Sequence, residues 1–334
     1  MSSNFPAQFL LGIDSGGSKS QMMLWPLAQA ERLVQLSVSE QNIMAAAVFQ
    51  DRFQGINLDV IDQYTASQRL AAMLEAAADA ARLPTATFLQ QTKIVMGLAG
   101  LDTPADVERA ELWFGSVLLQ FGLMKTQVDI TLLPDVELAL WSASRIGEGV
   151  VLIAGTGSNC FGRDAAGNRA KTGGMSHFLS DEGGGFMLGW EGLHVLNKMH
   201  DGRLEKTQLY DEILTMYAAP TFAVLKTSIV TAHDYKHLVA QAAPVVQKLA
   251  RAGEPNCVQI VTKAVSDLAV MVETVVQQLD PSPNLYAYLV GSLFKDEFYR
   301  QQLIAKLYSE GIRSQPLRVD APVVGVVNWL GRSR

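Results

Sequence analysis

The chain has few cysteines and no cluster of basic residues. Its 334 residues include only Cys160 and Cys257, which could form at most one disulfide and cannot alone ligate an iron–sulfur cluster or a structural zinc ion. The formal net charge is −6 and no run of Lys and Arg is present, whereas affinity for nucleic acid depends on such runs. We therefore expect two reduced cysteines and no nucleic-acid partner.

Long hydrophobic runs are also missing. The first residues lack the basic and apolar segments of a secretory signal. The apolar stretch 213–225 is interrupted by Pro220 and is shorter than the roughly 20 residues that a membrane-spanning helix needs. These absences predict a cytoplasmic protein without a membrane partner. The length and the 49% hydrophobic content predict a globular protein with two domains.

One arrangement is present twice: an apolar strand, a glycine-rich turn and a second strand. The turns lie in Asp14-Ser15-Gly16-Gly17-Ser18-Lys19-Ser20 and in Gly155-Thr156-Gly157-Ser158. Glycines let backbone N–H groups crowd around an anion without obstruction by side chains. The repeat therefore predicts two β-hairpins that clamp a polyphosphate.

The first turn differs from a P-loop. A P-loop has Lys directly after its last glycine and then a helix, but here Ser18 separates Gly17 from Lys19. The following residues 21–26 form a short apolar stretch that ends in proline, which is typical of a strand rather than a helix. A dinucleotide fingerprint is excluded by the same spacing.

Hydrophobic periodicity predicts alternating strands and helices. In the first half we expect strands at residues 9–13, 21–25, 33–38, 93–97 and 128–133, and helices at 66–81, 105–121 and 137–144. In the second half we expect a hairpin ending at residue 163, long helices over 185–279, strands at 285–290 and near 316–319, a helix at 296–308 and a closing helix after residue 322. We predict an N-terminal lobe at 1–146 and a C-terminal lobe at 147–334, with the last helix packing back on the first lobe.

Six blocks of sequence carry a family resemblance. They lie at residues 12–20, 97–102, 134–135, 153–160, 173–185 and 289–292. In order and spacing they resemble the N-acetylglucosamine kinase and BadF/BadG/BcrA/BcrD ATPase branch of the actin-like ATPase and sugar kinase superfamily. The resemblance implies an α/β, two-lobed, actin-like (ribonuclease H-like) fold, with two mixed β-sheets flanked by helices around a central cleft.

The resemblance also implies ATP and Mg²⁺ as cofactors. Asp14 would hold Mg²⁺ through water, as suits an ion that prefers carboxylate and water ligands, and the hydroxyls of Ser18 and Ser20 would remain available to phosphate oxygens. The residues implied to bind the nucleotide are Asp14, Gly16, Gly17, Ser18, Lys19, Gly155, Thr156, Gly157, Ser158, Gly291 and Ser292.

Asp135 is the candidate catalytic residue. It follows the predicted strand at 128–133 and lies between the two turns in sequence, as the catalytic Asp of the family does. A carboxylate there can accept the proton of an attacking hydroxyl. Asp after Pro134 is also well suited to cap a helix, and both roles are compatible.

The sugar would be bound by residues from two further blocks. Asn57 resembles a sugar-contacting Gly-x-Asn element, with Gln41-Asn42 as a competing candidate, and Asn57 with Asp135, Gly174, Met175 and Asp181 are the predicted substrate residues. Met175 replaces a family Trp, while His177 is expected to orient this loop by hydrogen bonding.

The resemblance implies a kinase that phosphorylates the 6-hydroxyl of N-acetylglucosamine, a small sugar. Glucosamine is an alternative acceptor. A second possibility is an ATPase that drives a conformational change in a partner protein, and a third is a sugar sensor without catalysis. A homodimer is also expected.

Overall fold

A computed structural model describes residues 6–17, 19–36, 38–280, 285–315 and 321–333. These residues divide into two compact units: the first comprises Met1–Glu148 with Val319–Arg334, and the second comprises Gly149–Arg318.

The described residues form ten strands: β1 (Phe9–Ser15), β2 (Lys19–Pro26), β3 (Phe49–Gln54), β4 (Thr92–Leu98), β5 (Asp129–Pro134), β6 (Gly149–Ala154), β7 (Ser158–Arg163), β8 (Arg169–Gly173), β9 (Ala287–Val290) and β10 (Ser314–Gln315). They also form fourteen α-helices: α1 (Leu27–Leu36), α2 (Glu40–Ala45), α3 (Gln63–Ala81), α4 (Thr85–Gln90), α5 (Pro104–Gln120), α6 (Asp135–Ala143), α7 (Gly185–His200), α8 (Gln208–Met216), α9 (Phe222–Val230), α10 (Tyr235–Ala240), α11 (Ala243–Arg251), α12 (Pro255–Gln277), α13 (Glu297–Ser309) and α14 (Gly325–Leu330).

Each unit contains one five-stranded mixed sheet with the same topology. The strand order is β3-β2-β1-β4-β5 in the first unit and β8-β7-β6-β9-β10 in the second. In the first sheet β1, β2 and β3 pair antiparallel, while β1, β4 and β5 run parallel. The second sheet repeats this pattern with β6, β7 and β8 antiparallel and with β6, β9 and β10 parallel. The duplication seen in the two glycine-rich turns therefore extends to the entire sheets.

Helices cover both faces of the first sheet. Leu11 and Ile13 lie in a core formed with α3 and α5, whereas Leu10 lies in a core formed with α1, α6 and α14. Successive side chains of a strand point to opposite faces, so β1 has apolar residues on both sides. In the second unit, Val150 and Leu152 of β6 pack in a core that includes α7, α11, α12 and α13.

One predicted strand is wrong. The segment predicted as a strand at 33–38 belongs largely to α1, in which Ala30 is buried and Leu33 and Val34 pack on the core formed with α6 and α14. That spacing of three and four residues is helical. The third strand is instead β3, whose mostly exposed side chains leave little apolar periodicity.

The other predicted elements are present, with shifted ends. The helical segment 185–279 consists of α7 to α12, and α2, α4 and β8 are additional elements. The strand predicted near 316–319 lies outside the described residues. None of the described helices combines the length and the apolar character needed to cross a membrane.

Candidate active site

The first glycine-rich turn joins β1 to β2, as predicted, and its base is closed by two buried hydroxyls. The Oγ atoms of Ser15 and Ser20 lie 2.6 Å apart. Ser15 Oγ accepts the Ile56 N–H at 2.9 Å, and Ser20 Oγ donates to the Gln54 carbonyl at 3.1 Å. The prediction that Ser20 offers its hydroxyl to a phosphate is therefore wrong, because that side chain is fully buried and engaged in the fold.

The tip of this hairpin packs against the backbone at Gly55. Gly16 N–H donates to the Lys19 carbonyl at 3.0 Å, and Lys19 itself is exposed. Ser18 lies outside the described residues. A Cβ on Gly55 would overlap the Gly16 carbonyl oxygen and approach the Lys19 nitrogen to 2.7 Å, and the Gly55 carbonyl accepts a hydrogen bond from the Arg69 guanidinium of α3. Sequence reasoning missed this support, which only the fold brings to the hairpin.

Asp14 and Asp135 stand at the same edge of the first sheet. Asp14 pairs with Gly97 in β4, and Gly97 pairs with Leu133 in β5, two residues before Asp135. Because β1, β4 and β5 are parallel, their carboxyl ends meet at one edge. Burial and the charge of Asp135 raise the pKa of Asp14 from 3.8 to about 7, while Lys19 opposes the shift. The first unit thus brings two predicted carboxylates and the predicted Lys into electrostatic range.

Asp135 is the first residue of α6, and the N-cap position is held by Pro134. Its Oδ1 accepts the N–H of Val136 at 2.7 Å. A negative charge at a helix N-terminus is stabilised by the helix dipole. A Cβ on Gly97 would come within 2.6 Å of a Leu138 methyl group, so this glycine allows α6 to lie close to β4 and fixes where its first residue stands.

Asn57 lies beside the same edge. It forms an isolated parallel bridge with Ala99, directly after β4, and its Oδ1 accepts the Asp59 N–H at 2.9 Å. Asp59 is in turn paired with Arg109 of α5 at 2.6 Å. The competing candidates, Gln41-Asn42, are exposed residues of α2, and no described contact connects them with this edge.

The second glycine-rich turn joins β6 to β7. Gly155 N–H donates to the Gly157 carbonyl at 2.9 Å. Within the described residues, the N–H groups of Thr156 and Gly157 donate to no protein acceptor. The Ser158 side chain is instead turned inward, where its Oγ donates to the Glu182 carbonyl at 2.7 Å. The turn therefore offers backbone donors, as an anion site requires.

The N-terminus of α7 is docked on this turn. Gly185 N–H donates to the Gly155 carbonyl and Phe186 N–H donates to the Thr156 carbonyl, both at 2.8 Å. The first N–H groups of a helix have no acceptor within the helix, and here the carbonyls of the turn accept two of them. A Cβ on Gly184 would approach the Gly157 backbone to 2.7 Å. The glycine run before α7 is thus explained by direct contact between backbones.

Gly291 follows β9 and lies against the end of β6. Its φ is +122°, and a Cβ there would overlap the Ala154 carbonyl. Only glycine combines this φ with this approach. A Cβ on Gly155 would lie 3.9 Å from Ser292 Oγ, so the predicted adenosine residues adjoin the second turn within one unit.

The predicted sugar loop follows β8 and is tightly turned. Met175 N–H donates to Ser180 Oγ at 2.8 Å, and Ser176 adopts a left-handed φ of +73°. His177 Nε2 lies 2.8 Å from the Tyr235 hydroxyl of α10. Burial, and then Lys236, lower the pKa of His177. The side chains that project from this loop are apolar, namely Met175, Phe178 and Leu179, which are 49%, 77% and 80% exposed.

Asp181 and Gly174 have partners that sequence reasoning missed. Asp181 is 4% exposed; its Oδ1 accepts the Ser158 N–H at 3.1 Å, and its Oδ2 accepts Lys236 Nζ at 2.9 Å. The Asn159 side chain lies against Gly174, and its buried Oδ1 has no hydrogen-bond partner. Asn159 directly follows the turn motif, which was a usable signal, whereas nothing in the sequence links Lys236 to Asp181.

The two hairpins, Asp135 and Gly291 all fall within one family match. A sequence model of the BadF/BadG/BcrA/BcrD ATPase family matches residues 11–327.

The chain belongs to this family. Membership in the BadF/BadG/BcrA/BcrD ATPase family implies that ATP is bound, and it confirms the family named from the six sequence blocks. The roles of individual residues stay predictions.

Relatives of this family member include sugar kinases by name. A protein of Clostridium acetobutylicum described as N-acetylmuramic acid/N-acetylglucosamine kinase is 27% identical over 272 residues, covering 81% of this chain and 80% of the relative. Among solved structures, a candidate N-acetylglucosamine kinase from Chromobacterium violaceum aligns with a TM-score of 0.71 at 20% identity, covering 96% of this chain and 98% of that chain. A candidate N-acetylglucosamine kinase from Porphyromonas gingivalis aligns with a TM-score of 0.66 at 20% identity, covering 96% and 97%.

These structural likenesses confirm the fold class. The protein has the α/β, actin-like ATPase fold, with two mixed sheets and helices on their faces.

Proposed function

We propose that this protein is an ATP-dependent amino-sugar kinase that transfers the γ-phosphoryl of ATP to the 6-hydroxyl of N-acetylglucosamine. The observation that carries the proposal is the pair of carboxylates at the carboxyl edge of the first sheet, Asp14 and Asp135, whose interaction helps raise the pKa of Asp14 to about 7. One carboxylate would serve the metal and the other the acceptor.

Asp14 fits a magnesium ion held through water. Its carboxylate stands beside a second negative group, Asp135, in a densely packed position where charge is costly. A cation would offset the repulsion between the two carboxylates, and carboxylate with water is the ligand set that Mg²⁺ prefers. When bound, Mg²⁺ neutralises charge on the phosphoryl group in transfer.

Each hairpin carries candidate phosphate-binding groups of its own. In the first these are the backbone at Gly16 and Gly17 and the exposed Lys19. In the second, the unpaired N–H groups of Thr156 and Gly157 are suited to phosphate oxygens. Gly291 and Ser292 adjoin this turn, which supports their assignment to the adenosine.

Asp135 would act as the general base. Its backbone is fixed by the start of α6 and by the close approach of that helix to β4 at Gly97. A carboxylate held in place can take the proton of the 6-hydroxyl as the new P–O bond forms, and general-base catalysis of this kind contributes about 10²- to 10⁴-fold to a rate.

The acceptor sugar would be bound by polar groups and an apolar loop. Asn57 adjoins the edge that carries Asp135. Asp181 is buried and accepts hydrogen bonds from Ser158 N–H and Lys236 Nζ, so it would support the loop rather than contact a sugar hydroxyl. Gly174 lies against the unpaired Oδ1 of Asn159. The exposed side chain of Met175 favours an N-acetyl group over the ammonium of glucosamine. The name of the Clostridium acetobutylicum relative supports the same substrate class.

The structure offers no support for an ATPase that activates a partner through a cluster bound by cysteines. Cys160 and Cys257 are both buried in the core of the second unit, and burial raises the pKa of each thiol. Buried thiols of this kind are inert and cannot reach a partner surface.

The test is a panel of acceptors assayed with the wild type and with Asp135→Asn. The panel comprises N-acetylglucosamine, glucosamine, N-acetylmannosamine, N-acetylmuramic acid and glucose. We expect the highest kcat/KM with N-acetylglucosamine. Asp135→Asn should lower kcat by about 10²-fold or more while the affinity for ATP changes little. ATP turnover that is independent of every sugar would contradict the proposal.

Asp129→Asn is the matched control. Asp129 begins the same strand, β5, at its opposite end, where it is exposed and paired with Lys93 at 3.4 Å. Both substitutions replace a carboxylate by an amide. The control therefore separates the loss of one negative charge in general from the loss of the Asp135 carboxylate. Full activity in Asp135→Asn would exclude Asp135 as the base.

A further inference from the structure

A buried carboxylate lies directly against the second glycine-rich turn. The Asp181 side chain is 6% exposed, and its Oδ1 accepts the N–H of Ser158, the residue that ends the turn, at 3.1 Å. A Cβ on Gly157 would overlap this carboxylate. A negative charge is therefore placed within one residue of the turn's unpaired N–H groups.

That placement creates an electrostatic conflict. A polyphosphate bound at the turn would bring several further negative charges close to Asp181. Like charges repel, and the repulsion grows where water is excluded. An unbalanced carboxylate at this position would oppose the ligand that the N–H groups of Thr156 and Gly157 attract.

Lys236 supplies the balancing charge. Its Nζ lies 2.9 Å from Asp181 Oδ2, the oxygen opposite the one that binds Ser158. The Lys236 side chain is 34% exposed, whereas the side chain of its partner is buried. A charge-assisted hydrogen bond of this length is stronger than a neutral one.

The element that carries Lys236 is anchored to the same framework. The neighbouring Tyr235 hydroxyl bonds His177 Nε2 at 2.8 Å. Farther along α10, the Val239 carbonyl lies so close to Gly189 of α7 that no side chain fits there. Because α7 also donates its first N–H groups to the turn, the ammonium, the carboxylate and the turn are held together within the second unit.

We propose that Lys236 is a positioning residue of the second phosphate hairpin, which acts by neutralising and orienting Asp181. The pair Asp181–Lys236 braces the turn as a neutral unit, so that a buried carboxylate can support the backbone without repelling a polyphosphate. This inference rests on the proposed function, since the ligand of the turn is taken to be the phosphate chain of ATP.

The test measures binding of Mg²⁺-ATP and of adenosine by calorimetry, without sugar, to the full-length protein. The variants are Lys236→Met, Lys236→Arg and the double variant Asp181→Asn/Lys236→Met. Lys248→Met is the matched control, because Lys248 forms a similar ion pair with Glu212 at 2.8 Å on an exposed part of the same unit.

We expect Lys236→Met to weaken ATP binding about tenfold or more, which corresponds to about 1.4 kcal/mol, and to leave adenosine binding unchanged. Adenosine carries no phosphate, so a charge effect does not reach it, whereas damage to the fold would weaken both ligands. Lys236→Arg and Lys248→Met should bind ATP like the wild type. The double variant should recover ATP affinity to within about threefold, since the carboxylate that needs neutralising is gone.

Three results would overturn the inference: an unchanged affinity for ATP in Lys236→Met, an equal loss for ATP and adenosine, or a double variant as weak as Lys236→Met. The last would mean that Lys236 binds phosphate directly or that the turn needs the carboxylate itself. A wild type that binds neither ATP nor adenosine would instead remove the proposed function, and the inference with it.

Discussion

The two glycine-rich hairpins occupy equivalent positions in sheets of the same topology, yet they are supported by different chemistry. The first rests on neutral groups: the Ser15 and Ser20 hydroxyls and the backbone at Gly55. The second rests on a charged side chain, Asp181, and on the N-terminus of α7. Equivalent backbone shape can therefore be maintained either by buried hydroxyls or by a neutralised ion pair.

The two hairpins also differ in the position of their charged residues. The first unit has a carboxylate at the end of β1, Asp14, and a Lys within the hairpin, Lys19. At the equivalent end of β6 stands Ala154, and the second turn contains no charged residue. The charged groups that support it are the pair Asp181 and Lys236. The first hairpin thus carries charged residues on its own strands, whereas the second is supported by an ion pair from elsewhere in its unit.

The largest expected effect compares Gly55→Ala with Gly157→Ala. The new methyl group at Gly55 would meet the backbone of the first hairpin, which cannot move aside. At Gly157 it would meet the end of the Asp181 side chain, which can shift at the expense of its bonds to Ser158 and Lys236. We expect Gly55→Ala to lower the free energy of unfolding by about 3 kcal/mol and Gly157→Ala by about half of that, measured by urea denaturation.

Gly17→Ala is the control, since a Cβ there meets nothing within 4 Å. Equal losses in Gly55→Ala and Gly157→Ala would contradict the distinction between a rigid and a movable support.

The second prediction concerns Asp14, the carboxylate of the first hairpin. The pKa of Asp14 is about 7 in the folded protein against an ordinary value of 3.8, so protonation favours folding. The stability contributed by the protonated carboxyl is present at acidic pH and lost as the pH rises through 7. Asp14→Asn should therefore be more stable than the wild type at pH 8, although inactive. We expect a gain of about 2 kcal/mol, half of the roughly 4 kcal/mol that the full shift represents, because burying the amide of Asn also has a desolvation cost.

Urea titrations of both proteins between pH 4 and pH 8 would check this, and the difference should vanish towards pH 4. A constant difference across that range would show that Asp14 ionises normally. Asp129→Asn, a substitution at the exposed start of β5, is the matched control.

A smaller effect is expected from the hydroxyls of the two hairpins. Ser15→Ala leaves the buried Ile56 N–H without its acceptor, whereas Ser158→Ala leaves only the Glu182 carbonyl without a donor. An orphaned N–H is costlier than a carbonyl that has lost one donor. We expect a loss of about 1.5 kcal/mol for Ser15→Ala and about 1 kcal/mol or less for Ser158→Ala, measured as shifts in the urea midpoint. A larger loss for Ser158→Ala than for Ser15→Ala would contradict this ranking of the two hydroxyls.

The smallest effect belongs to the loop that adjoins the second hairpin. Ser176 has a φ of +73°, a conformation that glycine adopts without a steric penalty. Ser176→Gly should raise the thermal midpoint slightly, equivalent to about 0.5 kcal/mol. Ser180→Ala should lower it, because Met175 N–H would lose its acceptor. A drop in both variants would show that Ser176 has a favourable contact that outweighs its strain.

Much of the fold could be predicted from the sequence. The apolar runs of β1, β4 and β6 predict buried strands, and the glycine-rich turns predict the hairpins, because these signals are local. The segment 33–38 was the error: its apolar residues fit a strand or a helix, and only packing of α1 on α6 and α14 decides between them. β3 was not predicted, because an edge strand with mostly exposed side chains shows little alternation of apolar and polar residues.

The sequence by itself determined the two hairpins, the position of Asp135 after a strand and the family, because each depends on short stretches of neighbouring residues. Tertiary structure decided which groups support the hairpins. Gly55 contacts the first turn and accepts a hydrogen bond from Arg69, 14 residues farther along the chain. Asp181 contacts the second turn and is paired with Lys236, 55 residues farther along the chain. Such contacts follow from the packing of whole elements, and no local pattern of residues encodes them.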